Sequence, residues 1–161
     1  MKGNDVRSYP EHYYQGIMLV QYDNTGKAAA KTFINKRQYS FNDGAIYLSF
    51  FFCKSKNNFY FYYNDSEENL TLNNIYKMKE FKPRTDAAHI GRIGNAEDKQ
   101  IICLATVDKT GKLSKEKVLE DREKGQLLSK NLGVDFGDGN YILTTIGKDE
   151  DKSYLLKIAD Y

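Results

Sequence analysis

Apolar positions in this chain come in short runs separated by turn residues, and few of the runs keep a helical period. Residues 17–22 form a nearly continuous apolar run, the pattern of a strand covered on both faces. The turn signal Asp23-Asn24-Thr25-Gly26 follows and predicts a hairpin with a return strand over 28–35. Residues 1–15, polar and aromatic, read as an irregular lead-in. A second hairpin is predicted from an apolar strand over 45–53, a polar turn over 54–58 and a dense aromatic strand over 59–63. Residues 64–99 are the least regular, with one short strand or helix over 75–81. Strands are then expected over 101–107, 113–119, 127–136, 141–146 and 154–158. Residues 114–130 are rich in the helix formers Lys, Glu and Leu, but their apolar positions keep no clean helical period. A strand followed by a charged loop is the better reading there.

One strand-turn unit occurs twice. Ile17-Met18-Leu19-Val20-Gln21-Tyr22-Asp23-Asn24-Thr25-Gly26-Lys27 is echoed 85 residues later by Ile102-Cys103-Leu104-Ala105-Thr106-Val107-Asp108-Lys109-Thr110-Gly111-Lys112. Asp at the first turn position accepts hydrogen bonds from the turn backbone, and Gly at the fourth tolerates a left-handed bulge. Asp23 and Asp108 are therefore read as turn residues rather than as a repeated cation site. The fold class that follows is all-β and mostly antiparallel. It is read as a single domain over 1–161 made of two similar four-stranded units, about 13–69 and 98–161. An irregular connection over about 70–97 joins them.

Composition narrows the function classes. The 161 residues carry a net charge of +2 and no block of five or six like charges, which disfavours a nucleic-acid arm or a polybasic membrane patch. No apolar run approaches the roughly 18 residues of a membrane-spanning helix, and the first residues lack the apolar core of a signal peptide. Aromatic content is 14%, with 13 Tyr and no Trp, which suits strands. Cys53 and Cys103 each sit in an apolar strand-like run. They read as buried thiols, with a disulfide between matching units as the alternative.

Catalytic signatures are sparse. Two Cys and the distant His12 and His89 have no metal-ligand spacing, and no phosphate-binding Gly-rich loop is present, so neither metal nor cofactor is expected. His12 and His89 read as surface or loop imidazoles. Glu67-Glu68 and Asp149-Glu150-Asp151 lie at expected strand ends, where solvated turns explain them. Asn64-Asp65-Ser66 and Asn69-Leu70-Thr71 match glycosylation sequons and are treated as chance. The most suggestive feature is the supply of tyrosines, with Tyr47, Tyr60 and Tyr62 as the candidate ligand-binding residues. Strand alternation puts Phe59, Phe61 and Tyr63 on one face and Tyr60 and Tyr62 on the other. An open Tyr60–Tyr62 face makes a stacking platform for glycan or peptide. A covered one makes core.

Several ordered strings carry a family resemblance: Gly16-Ile17-Met18-Leu19-Val20 with Asp23-x-x-Gly26-Lys27, then Ile34-x-Lys36-x-Gln38, then Phe59-Tyr60-Phe61-Tyr62-Tyr63-Asn64-Asp65 with Asn69 downstream, and Val107-Asp108-x-x-Gly111-Lys112. With the closing strands they resemble the C-terminal part of a family of uncharacterised, exported bacterial proteins that look like β-propellers. This chain departs from that pattern at Ala28-Ala29-Ala30, where an aromatic residue is expected, and near 129–131, where a Pro is expected. The resemblance implies units like propeller blades, a periplasmic or cell-surface location, and a short relative or fragment of a larger protein. It carries no reaction. Two blades cannot close a ring, so the units are expected to pack as a two-sheet sandwich or to self-associate through open sheet edges.

The sequence thus points to a non-catalytic binding or structural β domain with a protein or glycan partner. The alternative is a carbohydrate-binding or hydrolytic β scaffold using an aromatic platform or paired carboxylates, whose acids must converge in one pocket about 5–10 Å apart.

Overall fold

The computed structural model describes residues 10–41, 44–82, 100–119, 127–129, 133–135, 137–146 and 152–158. The architecture is all-β and sandwich-like, with antiparallel sheets. A long ribbon pairs β1 (Glu11–Tyr22) with β2 (Ala28–Phe41). A central four-stranded sheet has the order β3-β4-β5-β6, from β3 (Phe51–Lys54), β4 (Asn58–Ser66), β5 (Gln100–Asp108) and β6 (Leu113–Leu119). It draws two strands from each of the sequence-defined units. The third sheet is built on β9 (Asn140–Ile146). It pairs with β10 (Lys152–Lys157) on one edge and with the short β7 (Leu127–Leu128) and β8 (Val134–Asp135) on the other. Two short 3-10 turns, Glu67–Thr71 and Ile75–Lys77, follow β4.

Alternation along β4 explains the layering. Phe61 and Tyr63 point to the ribbon and pack with Ile17 and Ile34 from it and with Ile101, Cys103, Ala105 and Val107 from β5. Tyr62 points the other way, into a cluster with Cys53, Ile102, Leu128, Tyr141 and Leu143. A third cluster of Ala45, Leu48, Phe81 and Leu127 closes one end. The central sheet is therefore covered on both faces, which is why β4 reads as an unbroken aromatic run.

Several expectations are corrected. The lead-in is already strand from Glu11, and the return strand continues to Phe41. The strand expected over 45–53 exists only as Phe51–Lys54; residues 44–49 turn instead, with left-handed φ at Ala45 and Ser49. The strand expected over 127–136 is split into β7 and β8 along one edge of β9. The run 17–22 is covered on one face only: Ile17 is buried, but Met18 is 69% and Tyr22 67% exposed. A two-stranded ribbon has one inner face; on the outer one, residues of the segment 73–82 reach Asn35, Arg37 and Tyr39 and leave Met18 and Tyr22 exposed. Cys53 and Cys103 are free thiols on opposite faces of the central sheet, so no disulfide joins them. Of residues 114–130, β6 is strand as expected, and 120–126 lie outside the described residues.

The repeated turns match atom for atom. The Oδ1 of Asp23 accepts from the Thr25 amide, the Thr25 hydroxyl and the Lys27 amide at 2.8, 2.6 and 3.0 Å. The Oδ1 of Asp108 accepts from Thr110 and Lys112 at the same three distances. These bonds hold both carboxyl groups below the ordinary Asp value. Gly26 and Gly111 supply φ of 81° and 85°. The surroundings differ: the Gly111 turn docks on the ribbon, its carbonyl accepting from Thr32 Oγ1 at 2.8 Å, and Gln21 Nε2 reaches the Asp108 carbonyl at 3.0 Å.

A methyl group added at Gly26 meets open space, whereas one at Gly111 lies 3.1 Å from both Ala30 Cβ and Thr32 Oγ1. Gly26→Ala should therefore cost about 1 kcal/mol from backbone strain alone. Gly111→Ala should cost more, because the turn must also move off the ribbon. Urea denaturation of the two variants measures the difference, and equal losses would show that the docked turn gives way freely.

Candidate functional site

The three sequence-selected tyrosines are not brought together as an open platform. Tyr62 is 6% exposed and packed between the central and third sheets, and its hydroxyl pKa is pushed up by burial. Tyr60 is half-buried beside the same cluster and accepts a long hydrogen bond of 3.4 Å from Asn58. Tyr47 is half-buried in the segment 44–50, packed against the end cluster, and its carbonyl accepts from Asn64. The face of Tyr60 and Tyr62 is core.

The most elaborate chemistry lies on the inner face of the ribbon. Inward positions of β2 run Thr32, Ile34, Lys36, Gln38, Ser40, so the face changes from apolar to polar along its length. Lys36 is 1% exposed. Its Nζ donates to Gln38 Oε1 at 2.7 Å and to the Ser49 carbonyl at 2.9 Å. The rings of Tyr14, Phe50 and Tyr63 surround it at 5.4, 5.7 and 5.8 Å, within the range of cation–π attraction. No carboxylate among the described residues forms an ion pair with it. Burial pulls the Lys36 pKa down to about 7, and the charge of Asp65 opposes part of that shift.

Gln38 passes the network inward. Its Oε1 also accepts from the Ser49 amide at 3.0 Å, and its Nε2 donates to the Asn64 carbonyl at 2.7 Å. The Asn64 side chain crosses to the third sheet: Nδ2 donates to the carbonyls of Tyr47 and Leu128, and Oδ1 accepts from the Leu128 amide, all at 2.8 Å. A continuous chain of hydrogen bonds thus links the ribbon, the segment 44–50, the central sheet and β7.

Asp65, next along β4, is buried beside this chain. Burial raises its pKa to about 6, against hydrogen bonds from Asn69 and the Ser66 amide and the positive charges of Lys115 and Lys36. Its Oδ1 takes those hydrogen bonds at 2.6 and 2.8 Å. Asn69 in turn exchanges hydrogen bonds with the Lys79 backbone, fastening the first 3-10 turn to the segment ahead of Phe81. Both sequon asparagines are therefore buried and fully engaged, which agrees with reading those sequons as chance.

The remaining candidates carry no assembled chemistry. Burial pushes the thiols of Cys53 and Cys103 up to about 12, far from a reactive thiolate. Glu67 pairs with Lys117 at 2.7 Å and Glu68 with Lys79 at 3.3 Å. His12 holds its Nε2 buried without a partner among the described residues, and His89 and Asp149-Glu150-Asp151 lie outside those residues. Among the described residues no group of three His, Cys, Asp or Glu is placed to hold a metal, and no helix is long and apolar enough to cross a membrane. A cavity of about 120 Å³ between the central and third sheets is lined mainly by Ile102, Val118, Leu128, Leu143 and Leu156. Thr145 and Tyr154 complete its otherwise aliphatic walls, which offer little to orient a polar substrate.

The ribbon's outer face is the reverse of its inner one. Tyr13 and Tyr39 face each other at 5.0 Å between ring centroids, with Lys82 Nζ 5.0 Å above Tyr39. Met18 and Phe33 are cross-strand partners, and the Phe33 ring lies over Gly16 where a Cβ would sit. Between these patches Arg37 is paired with Glu80 at 3.3 Å. Comparison with protein-family models, with curated proteins and with solved structures gave no match.

Truncating Asn64 to Ala removes three hydrogen bonds and strands buried backbone groups of Tyr47 and Leu128. The expected loss is about 2–4 kcal/mol. Asn35→Ala, on the ribbon's outer side, should cost less than about 1 kcal/mol. Guanidinium denaturation of both variants checks the contrast.

Proposed function

We propose that this chain is a non-catalytic binding or structural β domain that presents the outer face of the β1–β2 ribbon to a protein or glycan partner. One observation carries the reading. The run 17–22 is composed like a strand covered on both faces, yet the outward Met18 and Tyr22, with Tyr13, Phe33 and Phe41 beside them, are exposed. Rings spread along a ribbon, with amide and charged side chains between them, supply the flat mixed surface on which sugar rings or an extended peptide stack.

The hydrolytic alternative has less behind it. Asp23 and Asp108 are held in turn hydrogen bonds, and Asp65 is held by Asn69 and the Ser66 amide. Glu67 and Glu68 are paired with lysines. None of these carboxylates lines the cavity between the sheets.

The double variant Tyr13→Ser/Phe33→Ser alters only outward side chains; losing the Tyr13–Tyr39 and Phe33–Gly16 contacts should cost about 1–2 kcal/mol and leave the protein folded. A ligand selected by the wild type from a panel of peptides and neutral oligosaccharides should bind the variant at least tenfold more weakly, as calorimetry reads it. Unchanged affinity would remove the ribbon face from the site. Turnover in a broad hydrolase screen, abolished by changing one carboxylate, would overturn the non-catalytic reading.

A further inference from the structure

We propose that the segment 44–50 is a latch controlled by the protonation of Lys36, held shut by the neutral amine and loosened by the ammonium. The segment is held in an unfavourable backbone form, with φ of 57° at Ala45 and 84° at Ser49, neither of them glycine. Such conformations persist only where surrounding structure imposes them. Three buried side chains impose this one. Lys36 takes the Ser49 carbonyl, Gln38 takes the Ser49 amide, and Asn64 takes the Tyr47 carbonyl. Ala45 and Leu48 anchor the segment in the end cluster.

Of these clamps, Lys36 is the one that titrates. A neutral amine has two protons and finds two acceptors, Gln38 Oε1 and the Ser49 carbonyl. An ammonium has a third proton with no oxygen acceptor among the described residues; the ring faces of Tyr14, Phe50 and Tyr63 attract the charge and offset only part of the cost of burying it. The titratable groups facing this region are His12 and Tyr14 from β1, Tyr47 in the segment itself, Tyr63 and Asp65 from β4, Cys103 from β5 and Lys115 from β6. Asp65 supplies the opposing negative charge, without an ion-pair contact to Lys36. Lys115 donates to the Asn35 carbonyl on β2 and touches no clamp of the segment.

Closed, Lys36 has a pKa of about 7; opened to water, it returns toward the ordinary 10.5. Opening therefore takes up a proton between those values. The opening equilibrium grows as pH falls through that window, by up to about tenfold per pH unit, and levels off below it. Asp65, with a pKa of about 6, changes charge below the window.

Amide hydrogen exchange at Leu48 and Ser49, corrected for intrinsic chemistry, reads the latch across roughly pH 6.5–8.5. Protection should be flat below about pH 7 and rise up to about tenfold per unit above it, while β5 amides such as Val107 do not follow. Lys36→Met should abolish the dependence, and Lys115→Met should keep it. Asp65→Asn, which removes the charge favouring the ammonium, should move the break to lower pH. A flat wild-type profile, or an unchanged slope in Lys36→Met, would overturn the latch. Should Lys36→Met fail to fold, the wild-type and Asp65→Asn profiles decide the matter on their own.

Discussion

The hydrogen-bonded pair of Gln38 and Asn64 is the constraint on which the layering depends. Apolar packing alone is tolerant of sliding, because one greasy sheet face fits another in several registers. Buried amides are not tolerant. Each donor or acceptor that misses its partner inside the protein costs free energy comparable to a lost hydrogen bond. Gln38 ties the ribbon to the central sheet through the Asn64 carbonyl, and the Asn64 side chain ties that sheet to β7. Both side chains also hold the segment 44–50. Sliding any one layer breaks bonds in two others, so the network selects one arrangement from those the apolar surfaces allow.

Some of this was legible in the sequence and some was not. The Asp-x-Thr-Gly-Lys turns were legible because their hydrogen bonds are local: one carboxylate and one glycine settle the geometry within five residues. Phe59–Tyr63 fell in a strand for a similar reason, since an unbroken aromatic run suits a strand covered twice. The strand expected over 45–53 was misread because its apolar residues report burial and not pairing. Ala45 and Leu48 are buried, but the backbone of their neighbours Tyr47 and Ser49 is served by the side chains of Asn64, Gln38 and Lys36 from other elements. The run 17–22 failed in the opposite way: composition announced two covered faces and the fold covers one.

The site was harder to see. Lys36, Gln38 and Ser40 look like surface residues by type. Parity is the signal that reveals them. Ile17 and Ile34 are cross-strand partners at the core, so every second residue onward from Ile34 must face inward as well. The same parity turns Phe33, Tyr39 and Phe41 outward. The ribbon thus hides its lysine and glutamine and shows its aromatic rings. That inversion supports the binding reading on one face and places the titrating clamp on the other.

The central claim is that Gln38 and Asn64 act as one unit. A double-mutant cycle with Gln38→Met and Asn64→Leu, followed by denaturant unfolding, measures it most directly. The Asn64 carbonyl that Gln38 holds survives Asn64→Leu, so the cycle reads the coupling carried by the segment 44–50 that both side chains grip. The account predicts a coupling energy above about 0.5 and up to about 3 kcal/mol between the two positions. Losses that add within about 0.5 kcal/mol would contradict it, and would mean that apolar packing fixes the layers without the network.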